Sequence, residues 1–415
     1  MVTLQPIILG TESGVYGSAR SFHEAFSINS WAWGRLSLSA TKASKIVTPS
    51  VTESFTDPEI FIKTMSDKGE KLKKDNLDTH YVVVPGGDDY SRLLSQYRDE
   101  LSNWYDINAV DYDLHLKLSD KKSFYELCDI YQLPHPATFI LNESDFQQQT
   151  HHNLPFGFPV ALKPADSVEW NLIDFPGRKK AYRIETSDEL DSIISTIFTA
   201  GYRGDLIIQD FIPGGDECMK VLNAYVTKNH KVTSMVLGQI VLSDPTPYAI
   251  GNYSAIIPVE NDAFCMQIAE FLESIGYQGF ANFDIKYDPR DGIDKLFEIN
   301  LRPGRTAYFA TANGLNVGKS YVDDLVFHKE PVETNYLHGS KMLLEVPANT
   351  LRHYAQPGSA YDCAMKHLRE KSYSWTLDYG KDRSLMRRLY LLRLAQLAKN
   401  NFKLYGTPYT TTVFS

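Results

Sequence analysis

The stretch 280–305, FANFDIKYDPRDGIDKLFEINLRPGR, decides how this chain is read, because it spells a β-hairpin that gathers charged side chains on one face. Asp291-Gly292 is a turn signal flanked by Asp288, Pro289 and Asp294, with an apolar run on either side. Strand side chains alternate, so Asn282, Asp284 and Lys286 share one face while Ala281, Phe283 and Ile285 point to the other. The return strand groups Glu298, Asn300 and Arg302 against Phe297, Ile299 and Leu301. With the turn centred near Asp291, Asp284 falls opposite Glu298 and Asn282 opposite Asn300, at cross-strand distances of roughly 5 Å. Two opposed carboxylates repel, whereas a divalent cation held between them turns the repulsion into attraction. Oxygen ligands with an amide and a nearby arginine suggest Mg2+ shared with the phosphates of a nucleotide. The competing reading is a solvated face, since any half-exposed strand alternates polar and apolar residues.

Composition frames that choice. A chain of 415 residues, 43% hydrophobic, can bury large cores and is expected to fold as two to four domains. A net charge of -9 argues against a nucleic-acid partner, whose phosphates ask for a basic surface. A small anionic substrate is still allowed, because a local pocket can oppose the global sign. Cys128, Cys218, Cys265 and Cys363 are too scattered for a metal motif or an evident disulfide framework, which fits a reducing compartment. The start, MVTLQPIILG, carries no basic leader and reads straight into a strand, and no apolar run approaches bilayer length. A cytoplasmic protein is the expectation.

Residues 1–115 read as an α/β unit. A strand at Pro6 to Leu9 empties into GTESGVYG before a helical pattern from Ser18 to Phe26. Tyr81 to Val84 repeats the arrangement, with a Gly86-Gly87-Asp88-Asp89 loop before a second helix. Gly10, Gly14 and Gly17 miss the dinucleotide-binding spacing, so the loop is read as holding part of a substrate. A second unit opens near Ser119 with a helix, a Pro-containing turn and the strand FPVALK, which ends on Lys163. That lysine either reaches water or enters a polar site. The segment 164–182, with Gly177, Arg178, Lys179 and Lys180, suits a basic lid over phosphates and equally a solvated loop. A third unit opens at DLIIQDFI, 205–212, followed by Pro213-Gly214-Gly215 and the acidic pair Asp216-Glu217. Backbone groups there could read an adenine edge and a carboxylate the ribose hydroxyls; a plain turn is the alternative.

In order and spacing, Lys121, Lys163, QDFIPG at 209–214 and Asp284...Glu298-x-Asn300-x-Arg302 resemble the ATP-grasp ligases over roughly 115–330. A narrower resemblance, over about 5–335, is to the D-aspartate ligases of lactic-acid bacteria and enterococci. It is carried by ILGTESGVYGSARSFHEAF, FPVALKPADSVE, IIQDFIPG, VLNAYV, DPTPYAIGNY, GFANFDIKYDPRDG and KLFEINLRPGR. The resemblance implies an α/β fold of the α+β ATP-grasp kind. A Rossmann-like pre-ATP-grasp domain (1–115) is followed by two α+β subdomains that clamp ATP (116–204 and 205–335) and a mainly helical extension (336–415). It implies an enzyme that uses ATP to join the β-carboxylate of D-aspartate to the lysine ε-amine of UDP-MurNAc-pentapeptide. Carried over by position, Lys121 and Lys163 contact the α- and β-phosphates, and Gln209, Asp210, Phe211 and Ile212 frame the adenine. Asp216, with Glu217 as its rival, takes the ribose. Asp284, Glu298 and Asn300 coordinate Mg2+, with Glu298 bridging two ions and Mn2+ an acceptable substitute. Arg302 stabilises the transferring phosphoryl group, Arg305 is a second contact there, and Asn282 holds a phosphate or carboxylate. Two features depart from the pattern: the lid is not glycine-rich, and Pro303 stands where the ligases carry Gln.

Residues 383–403, RSLMRRLYLLRLAQLAKNNFK, form an apolar helix face beside Arg387, Arg388, Arg393 and Lys399. This reads as a packing helix with a solvated rim, the alternative being peripheral contact with an anionic membrane. Two other functions stay open at this point. One is a ligase of this scaffold for another amino acid or dipeptide. The other is a non-catalytic nucleotide-binding regulator, against which the intact Asp284, Glu298, Asn300 and Arg302 set argues.

Overall fold

A computed structural model describes residues 2–148, 153–165, 167–249 and 251–409. Asp166, inside the segment 164–182, and residues 410–415 lie outside the described residues. The chain divides into two compact units: Met1–His115, Gly215–Asp284 and Ile299–Ser415 form the first, Leu116–Gly214 and Ile285–Glu298 the second.

The first unit begins with a five-stranded parallel sheet, order β3-β2-β1-β4-β5, built from β1 (Thr3–Leu9), β2 (Ser30–Gly34), β3 (Val47–Val51), β4 (Thr79–Pro85) and β5 (Asp106–Ile107). Ile7, Ile8, Leu9, Val82, Val83 and Val84 are all 0% exposed, as expected for parallel strands covered on both faces. The helix after β1 starts at Ser13 rather than Ser18, so Gly14 and Gly17 lie in its first turns and only 10–12 form the loop. Their use is close approach: a Cβ on Gly14 would stand 3.3 Å from the Cα of Arg305. Gly10 alone holds a left-handed conformation, φ +117°. The helix Pro58–Asp75, which the sequence reading passed over, is started by Asp57, whose carboxylate accepts from the amides of Glu59 and Ile60 ahead of Pro58.

The four strands of the second unit are β6 (Thr138–Leu141), β7 (Val160–Pro164), β8 (Tyr182–Ile184) and β9 (Leu206–Asp210), in the order β6-β9-β7-β8. The sequence reading began a new segment at 205, but β9 pairs with β6 on one side and β7 on the other. An apolar run announces a buried strand without naming its neighbours. A core of Leu162, Ile194, Ile197, Tyr202 and Ile208, each 0% exposed, packs the helix Ser187–Thr199 onto this sheet.

The largest sheet has eight strands, order β14-β13-β10-β11-β12-β16-β17, with β15 beside β11. Its members are β10 (Met219–Val226), β11 (Val232–Ser243), β12 (Tyr253–Val259), β13 (Gly279–Asp288), β14 (Ile293–Asn300), β15 (Asn335–Tyr336), β16 (Met342–Leu344) and β17 (Tyr373–Ser374). β13 and β14 are the expected hairpin: Gly292 sits at φ +75° and its amide donates to the Asp288 carbonyl at 2.8 Å. Ala281, Phe283 and Ile285 are buried as the alternation requires. Leu296, on the Glu298 side, is buried as well, its amide bonded to the Pro134 carbonyl at 2.8 Å. The 336–415 segment carries two strands of this sheet besides its helices, and Leu343, Leu377 and Tyr379 share a core with Ile8 and Tyr16. In its last helix, Leu385–Tyr405, Arg387 is not on the rim: it is 1% exposed, lies 3.8 Å over the Tyr16 ring and donates to the carbonyls of Ala40 and Leu377. The same helix exposes Leu385, Met386, Leu389 and Leu392, along with Arg388 and Arg393.

Candidate active site

In the second unit two lysines converge on one glutamate. Lys121 opens the helix Lys121–Ile130, whose Asp120 cap fixes where the helix begins, and its Nζ lies 3.4 Å from Glu298 Oε2. Lys163, on β7, is half-buried with Nζ 5.8 Å from the centre of the Phe297 ring. Burial, and then the charge of Lys121, lower its pKa to about 7, against the pull of Glu298 in the other direction. Two cations to one carboxylate leave a site that gains by receiving more negative charge.

The stretch 209–212, expected from the sequence to frame a nucleotide, is more committed to its own unit than its sequence suggests. Gln209 is buried and donates to Thr138 Oγ1 at 2.9 Å. The amides of Asp210 and Phe211 bond the carbonyls of Ala137 and Pro159, at 2.9 and 3.3 Å. Asp210 also takes both terminal nitrogens of Arg290, at 2.9 and 2.5 Å. Arg290 and Lys295 together hold Asp288, whose carboxyl is driven well below the usual range chiefly by the Arg290 bonds. Of the four residues only Ile212 lies past both the strand and these bonds. In the basic segment 164–182, Arg178 donates to the carbonyls of Trp170 and Ile173, at 2.8 and 2.9 Å, closing the end of the helix Ser167–Leu172. Lys179 and Lys180 stay exposed.

In the first unit, Asp284 Oδ1 accepts from the Tyr253 hydroxyl at 2.9 Å, and Asn300 Nδ2 approaches Asp284 Oδ2 at 3.5 Å. Asn282, read as a phosphate or carboxylate contact, is 5% exposed and donates to Asn223 Oδ1 at 3.0 Å. Asn223 keeps a buried Nδ2 without a partner among the described residues. Arg302 forks onto Asp88, Nε to Oδ1 at 2.7 Å and Nη2 to Oδ2 at 2.9 Å. Asp88 and Asp89 lie in the first turn of the helix Asp88–Gln96, not in a preceding loop. The ribose candidates separate: Asp216 is spent on the amide and hydroxyl of Ser243, at 2.7 and 2.6 Å, while exposed Glu217 accepts only from the Gly215 amide and a weak Cys218 thiol contact. Arg305 lines a cavity with Asp244 and Glu345.

Glu298 and Asn300, two positions apart, lie on one face of β14. Asp284 and Asn300 bring a carboxylate and an amide oxygen in the first unit and Glu298 a carboxylate in the second; oxygen donors of these kinds suit Mg2+, which keeps waters and shares phosphate oxygens. Among the described residues there is no group of three or more His, Cys, Asp or Glu that could hold a metal. No helix there is long and apolar enough to cross a membrane.

No family model matches the chain. It is 44% identical over 405 residues to the D-aspartate ligase of Enterococcus faecium (strain Aus0004), covering 96% of each chain. The chain belongs to the D-aspartate ligase family. It is therefore a carboxylate–amine ligase. The fold matches the N5-carboxyaminoimidazole synthetase of Staphylococcus aureus with a TM-score of 0.58, at 13% identity over 81% of this chain and 80% of that one. The L-amino acid ligase of Bacillus licheniformis matches with a TM-score of 0.51, at 11% identity over 80% of this chain and 76% of that one. At such identities the likeness is one of fold, and the fold is ATP-grasp.

Asp88, Asn223, Tyr253 and Arg290 were given no role of their own in the sequence reading. Each is marked only by its partner, and the partners of Asp88 and Arg290 lie 214 and 80 residues away. Asp288 and Lys295, three and four residues from Asp291, carried a signal: opposite charges crowded around one turn.

Proposed function

We propose that this chain activates the β-carboxylate of D-aspartate with ATP and joins it to the lysine ε-amine of UDP-MurNAc-pentapeptide, in the cytoplasm. The observation that carries this reading is the 44% identity, over 96% of the chain, to a D-aspartate ligase. A carboxylate is a poor acyl donor. Transfer of the γ-phosphoryl group of ATP to the β-carboxylate gives an acyl phosphate and ADP. The amine nitrogen then attacks the acyl carbon, the bond to the phosphate oxygen breaks, and the nitrogen loses a proton. Phosphoryl transfer asks mainly for positioning and charge neutralisation.

In this reading Lys121 and Lys163 lie against the α- and β-phosphates, and the backbone at Ile212 meets the adenine. Glu217 takes the ribose, since Asp216 is occupied. Asp284, Glu298 and Asn300 would hold Mg2+, which when bound neutralises charge on the phosphate oxygens. Arg302 stabilises the transferred group once it leaves Asp88.

The test is phosphate release from ATP and Mg2+ with UDP-MurNAc-pentapeptide, comparing D-Asp, L-Asp, D-Asn and D-Ala, with the product weighed by mass spectrometry. Turnover with D-Asp and an added aspartyl residue is expected. Turnover only with another acid refutes the substrate, and ATP binding without ADP formation across the panel refutes the enzyme.

A further inference from the structure

The first unit contains a cavity of about 130 Å³ whose wall includes Arg305, Asp244, Tyr253 and, from the 336–415 segment, Glu345, Thr376 and Ala398. We propose that this cavity is the amino-acid pocket: Arg305 takes the α-carboxylate, Asp244 takes the ammonium, and the β-carboxylate is left at the Tyr253 end. The proposal rests on the ligase reading above and adds to it the residues that recognise the acid.

Charge is the first argument. Arg305 makes no hydrogen bond or close ion pair with a described residue and acts on Glu345 only through its charge, so the donors of its guanidinium can take a carboxylate. Asp244 Oδ1 accepts from the amide and hydroxyl of Thr246, at 3.0 and 2.6 Å. Those bonds fix the carboxyl group, and Oδ2 carries no bond to a described residue. The cavity is lined by one cation and two carboxylates; with Glu345 held by Thr376, Arg305 and Asp244 are the pair left to match the two charges on the α-carbon of an amino acid.

Orientation is the second. The Tyr253 hydroxyl donates to Asp284 at 2.9 Å, so the Tyr253 wall of the cavity adjoins a proposed metal ligand. An acid anchored by its α-carbon groups at Arg305 and Asp244 therefore presents its side-chain carboxylate on the side where phosphoryl transfer is proposed.

Size is the third. The space, about 130 Å³, is enough for a four-carbon amino acid. Glu345, half-buried, is another part of the wall, its carboxylate accepting from the Thr376 amide at 3.1 Å and from the Thr376 hydroxyl. The C-terminal segment is thereby a wall of the substrate pocket.

The experiment compares full-length wild type with Asp244→Asn, Arg305→Ala and Ala398→Phe, using D-aspartate, succinate, which lacks the amine, and β-alanine, which lacks the α-carboxylate. Loss of a charge-assisted bond should raise the KM for D-aspartate at least tenfold in the first two variants. Filling the cavity should do the same in the third. The KM for ATP should stay within twofold in Asp244→Asn and Ala398→Phe, which reports that both are folded. The preference for D-aspartate over succinate should shrink at least tenfold in Asp244→Asn, and that over β-alanine in Arg305→Ala. Unchanged KM for D-aspartate in Asp244→Asn and Ala398→Phe, or unchanged preferences, overturns the pocket. If wild type turns over a different amino acid, the substrate reading falls, and the same KM comparison with that acid decides the pocket separately.

Discussion

Lys163 gives the sharpest handle on the nucleotide end of the site. Its pKa is brought from the ordinary 10.5 to about 7, first by burial and then by the charge of Lys121. A bound polyphosphate reverses both effects, so binding Mg2+-ATP should return the group to its charged form. If the complex restores the ordinary value, proton uptake on binding is about 0.1 at pH 6, about 0.5 at pH 7 and about 0.9 at pH 8. The assay is calorimetry of Mg2+-ATP binding in two buffers of different ionisation enthalpy, run at each pH on wild type and on Lys163→Met. Stability moves in the matching direction. In the window from about 7 to 10.5 the unfolded chain holds more protons at this lysine than the folded one, so stability at this position rises with pH. Lys163→Met should therefore stabilise the ligand-free protein most below pH 7 and progressively less toward pH 10.5. No buffer dependence at pH 8, or the same uptake in Lys163→Met, would refute the placement of Lys163 against phosphates.

Glu298→Gln should lower kcat/KM for ATP at least about 100-fold, since even residues that only orient metal ligands cost 10–100-fold; steady-state kinetics with normal turnover would mean that the hairpin is not the metal site. Glu217→Gln should raise the KM for ATP several-fold. Asp216→Asn should instead lose about 1–3 kcal/mol of stability through Ser243, read by urea unfolding with the KM for ATP nearly unchanged. Arg387→Leu should cost about 3–5 kcal/mol in the same assay, because it strips the buried Asp382 of its buried ion-pair partner, 3.7 Å away. A cost near zero there would mean that the last helix is held by its apolar face alone.

The hairpin was legible because everything that specifies it is local: a turn dipeptide, a two-residue period and apolar runs on both sides. The parallel sheet of 1–115 was legible at β1 and β4 for the same reason, while β2 and β3 went unread. Strand order was not legible at all, and that is why 205–212 was read as opening a third unit without naming β6 and β7 as its neighbours. The C-terminal segment was misjudged in one respect. Arg387 stands in line with Tyr390, Leu391 and Leu394 on the inward side of its helix, a spacing that marks it as buried, yet by residue type it was counted with the rim.

The ion pairs seen here also bear on the order of events at the proposed site. Lys121 is held by Glu298 and Arg302 by Asp88, so two of the cations proposed to meet phosphate each face a carboxylate that competes for them. Pairs as exposed as these, with the Asp88 side chain 74% exposed, contribute about 0–1 kcal/mol each and exchange readily. They keep the long side chains in position without resisting a stronger anion. The competition is not symmetrical, however. Glu298 is a proposed metal ligand, so Mg2+ that engages it withdraws the carboxylate from Lys121 and leaves that lysine to the phosphates. Asp88 has no such role, and Arg302 exchanges only when a more concentrated negative charge than one carboxylate develops beside it. On this argument Mg2+ promotes nucleotide binding beyond shielding ATP itself, and ATP without the metal should bind more weakly to wild type than to Glu298→Gln.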